Sequence, residues 1–139
     1  GAHSFHKCLY HLVFSPKYRR RVLQKDVALR LRNLLYDACK INRWFLHELE
    51  VMPDHVHVIM VPKEEISLSR IMQGIKGATS RRINLQRGSN GQLWQLESWD
   101  RIIRDEHEFS QKLEYMLMNP VKEGLVDDPW IYPGWYLQE

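Results

Sequence analysis

The chain has 139 residues, 44% hydrophobic and 27% charged, with a formal net charge of +3 and a pI near 8.9. That length suits one domain, residues 1–139, whose core needs no disulfide or metal staple, and no apolar run approaches the roughly 18 residues of a membrane span. No charged-then-apolar leader opens the sequence, and Cys8 and Cys39 match no zinc spacing, so buried, reduced thiols in a cytoplasmic protein are expected.

Residues 7–16, KCLYHLVFSP, read as a strand closed by Pro16. His11 inside it reads as structural. The next stretch, SPKYRRR, places Lys17, Arg19, Arg20 and Arg21 within five residues. A later one, IKGATSRR, adds Lys76, Arg81 and Arg82. Such clusters can neutralise phosphates, and a solvated surface is the plain alternative.

Residues 26–43 carry Val27, Leu31, Leu34, Leu35 and Ala38 at helical spacing. Residues 44–52 form a strand rich in aromatic and branched side chains, broken from the next by Pro53-Asp54. HVHVIMVP, residues 55–62, is a strand ended by Pro62. Residues 67–86 form a second helix with Ser67 as N-cap and Leu68, Ile71, Met72 and Ile75 on one face. Residues 87–92 are a loop and 93–104 are extended. A third helix, 105–119, opens with Asp105 and has Glu108 three residues on, a capping-box pattern, and Pro120 is expected to end or break it. The tail from Gly124 reads as loop.

This order of elements predicts an α+β fold of the ferredoxin-like or RRM-like kind, an antiparallel sheet with helices on one face and the other face open to a ligand.

Side chains alternate along a strand, so Val56, Val58 and Met60 point to one face and His55, His57 and Ile59 to the other. The two imidazoles then stand about 6.5–7 Å apart along the strand, near enough to lean onto one metal ion. A solvated histidine pair is the alternative. Asp54 and the other histidines offer partners for orienting such ligands. In the third helix Phe109, Leu113, Met116 and Leu117 make the apolar stripe. Tyr115 lies about 160° from Leu113, off that stripe, at about 100° per residue. Asn119 follows it one turn later. An ordinary surface tyrosine is the alternative there.

YHLVFSPKYRR, VMPDHVHVIM, IKGATSRRIN and LWQLESWDRIIRDEHEFSQKLEYMLMNPVKEGL, in that order, resemble the single-tyrosine HUH transposases that act on single-stranded DNA. The likeness spans about residues 7 to 130, and the NPV after the tyrosine looks more like the REP-associated tyrosine transposase branch. It implies that His55 and His57 hold a divalent metal ion, Mg2+ or Mn2+, that Tyr115 is the nucleophile, and that Asn119 completes the metal site, where insertion-sequence members carry glutamine. The stretch Leu96 to Trp99 departs from the branch by lacking its usual arginine. The implied activity is cleavage and rejoining of hairpin-flanked single-stranded DNA through a 5′-phosphotyrosine intermediate. Lys17, Arg19, Arg20, Arg21, Arg81 and Arg82 would hold the DNA backbone. Trp99, Trp130 and Trp135 could stack on bases, while Trp94 reads as core. The resemblance leaves open a homodimer or a monomer. The alternatives in function are a single-stranded nucleic-acid-binding module, a host-adopted nuclease that processes REP hairpins without transposition, and a metal-dependent hydrolase in which water attacks and Tyr115 is a bystander.

Overall fold

The computed structural model describes residues 9–63 and 66–138. Cys8 and the start of the first expected strand lie outside them. Five strands form one antiparallel sheet: β1 (Leu9–Phe14), β2 (Phe45–Met52), β3 (His55–Val61), β4 (Trp99–Ile103) and β5 (Trp135–Leu137), in the order β4-β1-β3-β2-β5. Three helices accompany them: α1 (Lys25–Ile41), α2 (Leu68–Arg87) and α3 (Glu106–Lys122). The fold is α+β, and the first four strands have the ferredoxin-like 4-1-3-2 order.

Alternation along the strands sends Leu12, Phe14, Leu49, Val51, Val56, Val58 and Met60 to one face. There they meet Leu31 and Leu35 of α1 and Ile71, Ile75 and Ile83 of α2. Each such side chain, taken fully out of water, contributes roughly 1.5–3 kcal/mol. Trp94 joins this core, edge-on to Phe14 and donating from its indole nitrogen to Thr79 Oγ1 at 2.9 Å. Cys39 is buried there as a free thiol, which burial raises to about 12.

The face expected to stand open carries α3. Its stripe of Phe109, Leu113 and Met116 needs an apolar partner and finds Leu9, Ile59 and Ile103 on the sheet. Asp105 caps α3 by accepting from the Glu108 N–H at 2.8 Å. Glu108 accepts in turn from the Arg104 N–H at 2.8 Å, not from the cap residue itself. Pro120 does not end the helix, which runs on to Lys122. Proline removes only its own donor to Met116. The next N–H groups still find carbonyls, Glu123 bonding to Asn119 at 3.0 Å and Gly124 to Val121 at 3.0 Å.

A bulge at His47 breaks the alternation of β2, since Leu46 pairs with Met60 and Glu48 with the adjacent Ile59. Leu46 and Leu49 thus both reach the α1/α2 core, while Glu48 and Glu50 point toward α3. The tail is not all loop either, because β5 extends the sheet beyond β2. Val51 N–H donates to the Gly134 carbonyl at 2.6 Å, and a side chain at Gly134 would put its Cβ 2.6 Å from the Val51 oxygen. Ser67 caps α2 by accepting from the Arg70 N–H at 3.2 Å. No helix among the described residues is long and apolar enough to cross a membrane.

Candidate active site

The hairpin loop between β2 and β3 is only Pro53 and Asp54, and it pairs Met52 with His55 and Glu50 with His57. The loop therefore delivers a carboxylate beside the first histidine. Asp54 Oδ1 lies 2.8 Å from His55 Nδ1, and Asp54 Oδ2 accepts from Arg19 at 2.9 Å. Burial works against ionisation of Asp54, but the bonds from His55 and Arg19 outweigh it and hold the carboxyl below its usual range. Arg19 is thus an orienting partner within the site. It sits in a short 3-10 turn, Lys17–Arg19, where Tyr18 and Arg19 have φ of 63° and 52°. Left-handed backbone at non-glycine residues costs on the order of 1–3 kcal/mol and collects at functional sites.

His57 has its own orienting partner. His11 Nε2 lies 2.9 Å from His57 Nδ1, with the rings stacked at 5.1 Å. Burial, with His11, His55 and Lys112 adding to it, lowers His57 to about 2. Burial, then Lys112 and Arg101, lowers His11 to about 4. Both rings are therefore neutral at pH 7, the state a metal ligand needs. His11, read as structural from the sequence, is structural in this sense: it holds a site residue.

Each histidine of the pair has Nδ1 engaged and Nε2 without a hydrogen bond among the described residues, and His57 Nε2 is fully buried. The two rings lie 4.9 Å apart at 79°, a separation from which both can reach one ion at the ~2.1 Å of an imidazole–metal bond. A partner on Nδ1 that fixes ring and tautomer is the usual support of a histidine ligand.

α3 brings the remaining residues. The Tyr115 ring stands 6.2 Å from the His57 ring, half exposed, with the Lys122 ammonium 5.3 Å above it. One turn on, Asn119 is buried and its Nδ2 donates to Glu50 Oε1 at 3.3 Å. That contact leaves the amide oxygen as its free end, the atom a hard cation takes. Glu50 and Glu48 are both fully buried. Burial, reinforced by Glu50, raises Glu48 to about 9, while burial raises Glu50 to about 8 against the bond from Asn119. Neither acid was singled out from the sequence. The available signal was HELEVM, two acids in alternation on a strand otherwise apolar.

The basic residues separate into groups. Lys17 and Arg20 flank the ring of Tyr18, which is 70% exposed, and Arg21 is exposed beside them. Arg81 and Arg82 are exposed on α2, whose packing is against the sheet face opposite the histidines. Trp99 lies half exposed at the sheet edge, edge-on to His11 with Lys112 above it. Trp135 is buried beneath the exposed Trp130. A groove runs between α2 and residues 92–100, past Gln73, Lys76 and Gln95, away from the histidine pair.

A family model described as "Transposase IS200 like" matches residues 4–102. The chain is 36% identical over 74 residues to the ISDra2 transposase TnpA of Deinococcus radiodurans, an alignment covering 53% of each protein. It is 26% identical to a putative REP-associated tyrosine transposase of Haemophilus influenzae, covering 92% of this chain and 80% of that one. The chain spans about half the length of the insertion-sequence relatives it matches. A REP-associated tyrosine transposase solved bound to a REP hairpin shares the fold, with a TM-score of 0.72 and 21% identity over 91% of this chain and 74% of that one. As the family match takes in well over half of the sequence, the chain belongs to the IS200-like transposases.

Proposed function

We propose that this chain cleaves and rejoins single-stranded, hairpin-flanked DNA in the cytoplasm, with Tyr115 as nucleophile and a divalent metal ion held by His55, His57 and Asn119. The observation that carries the reading is the position of Tyr115. It stands off the apolar stripe of α3, beside His57, with both histidines presenting a free Nε2 on the same side of the sheet.

In the first step the Tyr115 hydroxyl loses its proton and its oxygen attacks phosphorus. The new phosphorus–oxygen bond forms as the bond to the DNA 3′-oxygen breaks, and that oxygen takes up a proton, in place of the one Tyr115 gives up to solvent, and leaves as a hydroxyl. Rejoining is the reverse attack by a 3′-hydroxyl on the phosphotyrosine, so one phosphodiester replaces another and no ATP is consumed. An unperturbed phenol ionises near pH 10, which makes assistance necessary at neutral pH. A bound Mg2+ or Mn2+ supplies charge neutralisation and alignment at the scissile phosphate. Lys122 adds a cation over the Tyr115 ring. His11 and Asp54 keep the two imidazoles oriented, so little reorganisation accompanies the reaction.

The DNA backbone runs past Lys17, Arg20 and Arg21, with Tyr18 and Trp99 as exposed rings on which unpaired bases stack. Arg81 and Arg82 serve phosphates only where the DNA passes to the α2 side. One chain contributes His55, His57, Asn119 and Tyr115, so the reading works in a monomer.

The test is a denaturing gel of end-labelled hairpin DNA incubated with protein and Mn2+ or Mg2+. Label that migrates with protein, and disappears with chelator and in Tyr115→Phe, is the expected result. Free cleaved DNA that persists in Tyr115→Phe would instead identify water as the nucleophile.

A further inference from the structure

The turn after β1 and the end of α2 face each other across a small pocket that the proposed chemistry does not use. Lys17 and Arg20 line one side of it, and Arg87, Ser89, Asn90 and Gln92 the other. Three of these side chains are cations, and no residue lining the pocket is an acid. The ion pairs among the described residues are Arg19–Asp54, His55–Asp54 and Arg101–Glu108, so Lys17, Arg20 and Arg87 have no carboxylate partner. Like charges gathered at one pocket repel, and an anion seated among them relieves that repulsion.

Both walls are held in place. Lys17 N–H donates to the Leu93 carbonyl at 2.8 Å, and Gln95 N–H to the Ser15 carbonyl at 2.9 Å, which ties the turn to the segment after α2. The helix ends at Gly88, whose φ of 66° turns the chain so that Ser89 N–H donates back to the Asn84 carbonyl at 2.8 Å. Asn84 is buried. Its Nδ2 donates to the Gly91 carbonyl at 2.9 Å, and its Oδ1 accepts from Arg87 Nη1 at 3.3 Å. One donor of Arg87 is thus spent on orientation, and the rest of the guanidinium fork is left for a ligand.

We infer that this pocket binds one phosphate of the DNA backbone, with Arg87 as a phosphate ligand beside Lys17 and Arg20. The inference rests on the proposed function above and adds to it a fixed anchoring point. Charge and size select the ligand. The pocket encloses about 30 Å3, against about 560 Å3 in the groove along α2. A water takes about 10–15 Å3 on this measure, so the pocket admits phosphate oxygens and not a nucleobase. Continuity places the strand. The same turn sends Arg19 to Asp54 at 2.9 Å, and Asp54 holds His55. DNA gripped in the pocket therefore needs to cross only this turn, past the exposed ring of Tyr18, to reach the histidine pair. Phosphate contacts set register without reading sequence, so the pocket fixes where the strand enters the site.

The experiment is fluorescence anisotropy of labelled hairpin DNA with the full chain, between about 50 and 200 mM salt. Arg87→Ala should weaken binding about 10-fold at low salt, with a shallower dependence on salt than the parent. Arg70→Ala removes the same charge from the exposed start of the same helix and should change affinity by no more than about 2-fold. In Lys17→Ala/Arg87→Ala the two single losses should not multiply, because both cations hold one phosphate. Where Arg87→Ala melts below the parent, Arg87→Gln takes its place: it keeps a donor for Asn84, loses the charge, and should show the same loss. Parent-like affinity in a folded Arg87 variant, or single losses that multiply, overturns the pocket while the transposase reading stands. Parent protein that binds no hairpin DNA overturns that reading and the pocket with it.

Discussion

On one face of the sheet, Leu12, Phe14, Leu49, Val51, Val56 and Val58 close against two helices in a mainly apolar core, whose buried Thr79 hydroxyl is hydrogen-bonded. On the other, the same strands present His11, Glu48, Glu50 and His57 under a single helix that contributes Asn119. Both faces are buried, yet only the first is satisfied by the protein alone. The second has a small apolar cluster to dock α3 and, beside it, polar atoms with no partner. One face supplies stability, and the other spends part of it to keep a site dry and oriented.

Three changes test this division, taken from the largest effect to the smallest. Phe14→Ala empties a fully buried position between Trp94 and the helices and should cost about 3–5 kcal/mol in denaturant unfolding. A loss under about 1 kcal/mol would mean that the α1/α2 side is not the stabilising core. Asp54→Ala removes the partner of His55 Nδ1 and of Arg19 at a partly buried hairpin turn. It should lower Mn2+ affinity about 10–100-fold while unfolding changes little. Equal damage to folding would erase the contrast between the faces.

Glu48→Gln gives the finest test. The Glu48 carboxyl ionises at about 9 in the folded chain and near 4.5 in its ordinary state. Between those values the folded protein binds the proton that the unfolded chain releases, so stability falls as pH rises. In chelator, variant and parent should unfold alike near pH 5. By pH 9 the variant should be ahead by at least about 1 kcal/mol, since one pKa unit corresponds to about 1.4 kcal/mol. A difference that does not change with pH would show that Glu48 finds a partner.

Much of this architecture was legible in the sequence because it is local. The valines and histidines of β3 follow the strand period, Ser67 and Asp105 cap their helices, and Tyr115 falls off a stripe that counting identifies. What escaped was set by distant partners. His11 meets a histidine 46 residues later, Arg19 meets an aspartate 35 residues later, and Asn119 meets a glutamate 69 residues earlier. No spacing rule reaches that far. The β5 strand was missed because its three residues follow Pro133-Gly134 and are held by main-chain pairing to β2. The α3-covered face was missed because the helix's apolar stripe does not say which side of the sheet it seeks.

The bulge in β2 carries a consequence for how relatives of this chain can differ in length. His47 is the extra residue between Leu46 and Glu48. Strict alternation through it would have set Leu46 on the side of the two glutamates. Removing that one residue would leave Leu46, Leu49 and Val51 facing the helices and both acids facing α3. The strand can therefore lose its one extra residue at this point without moving any side chain across the sheet. Homologous chains can carry a gap there and still superimpose on both sides of it.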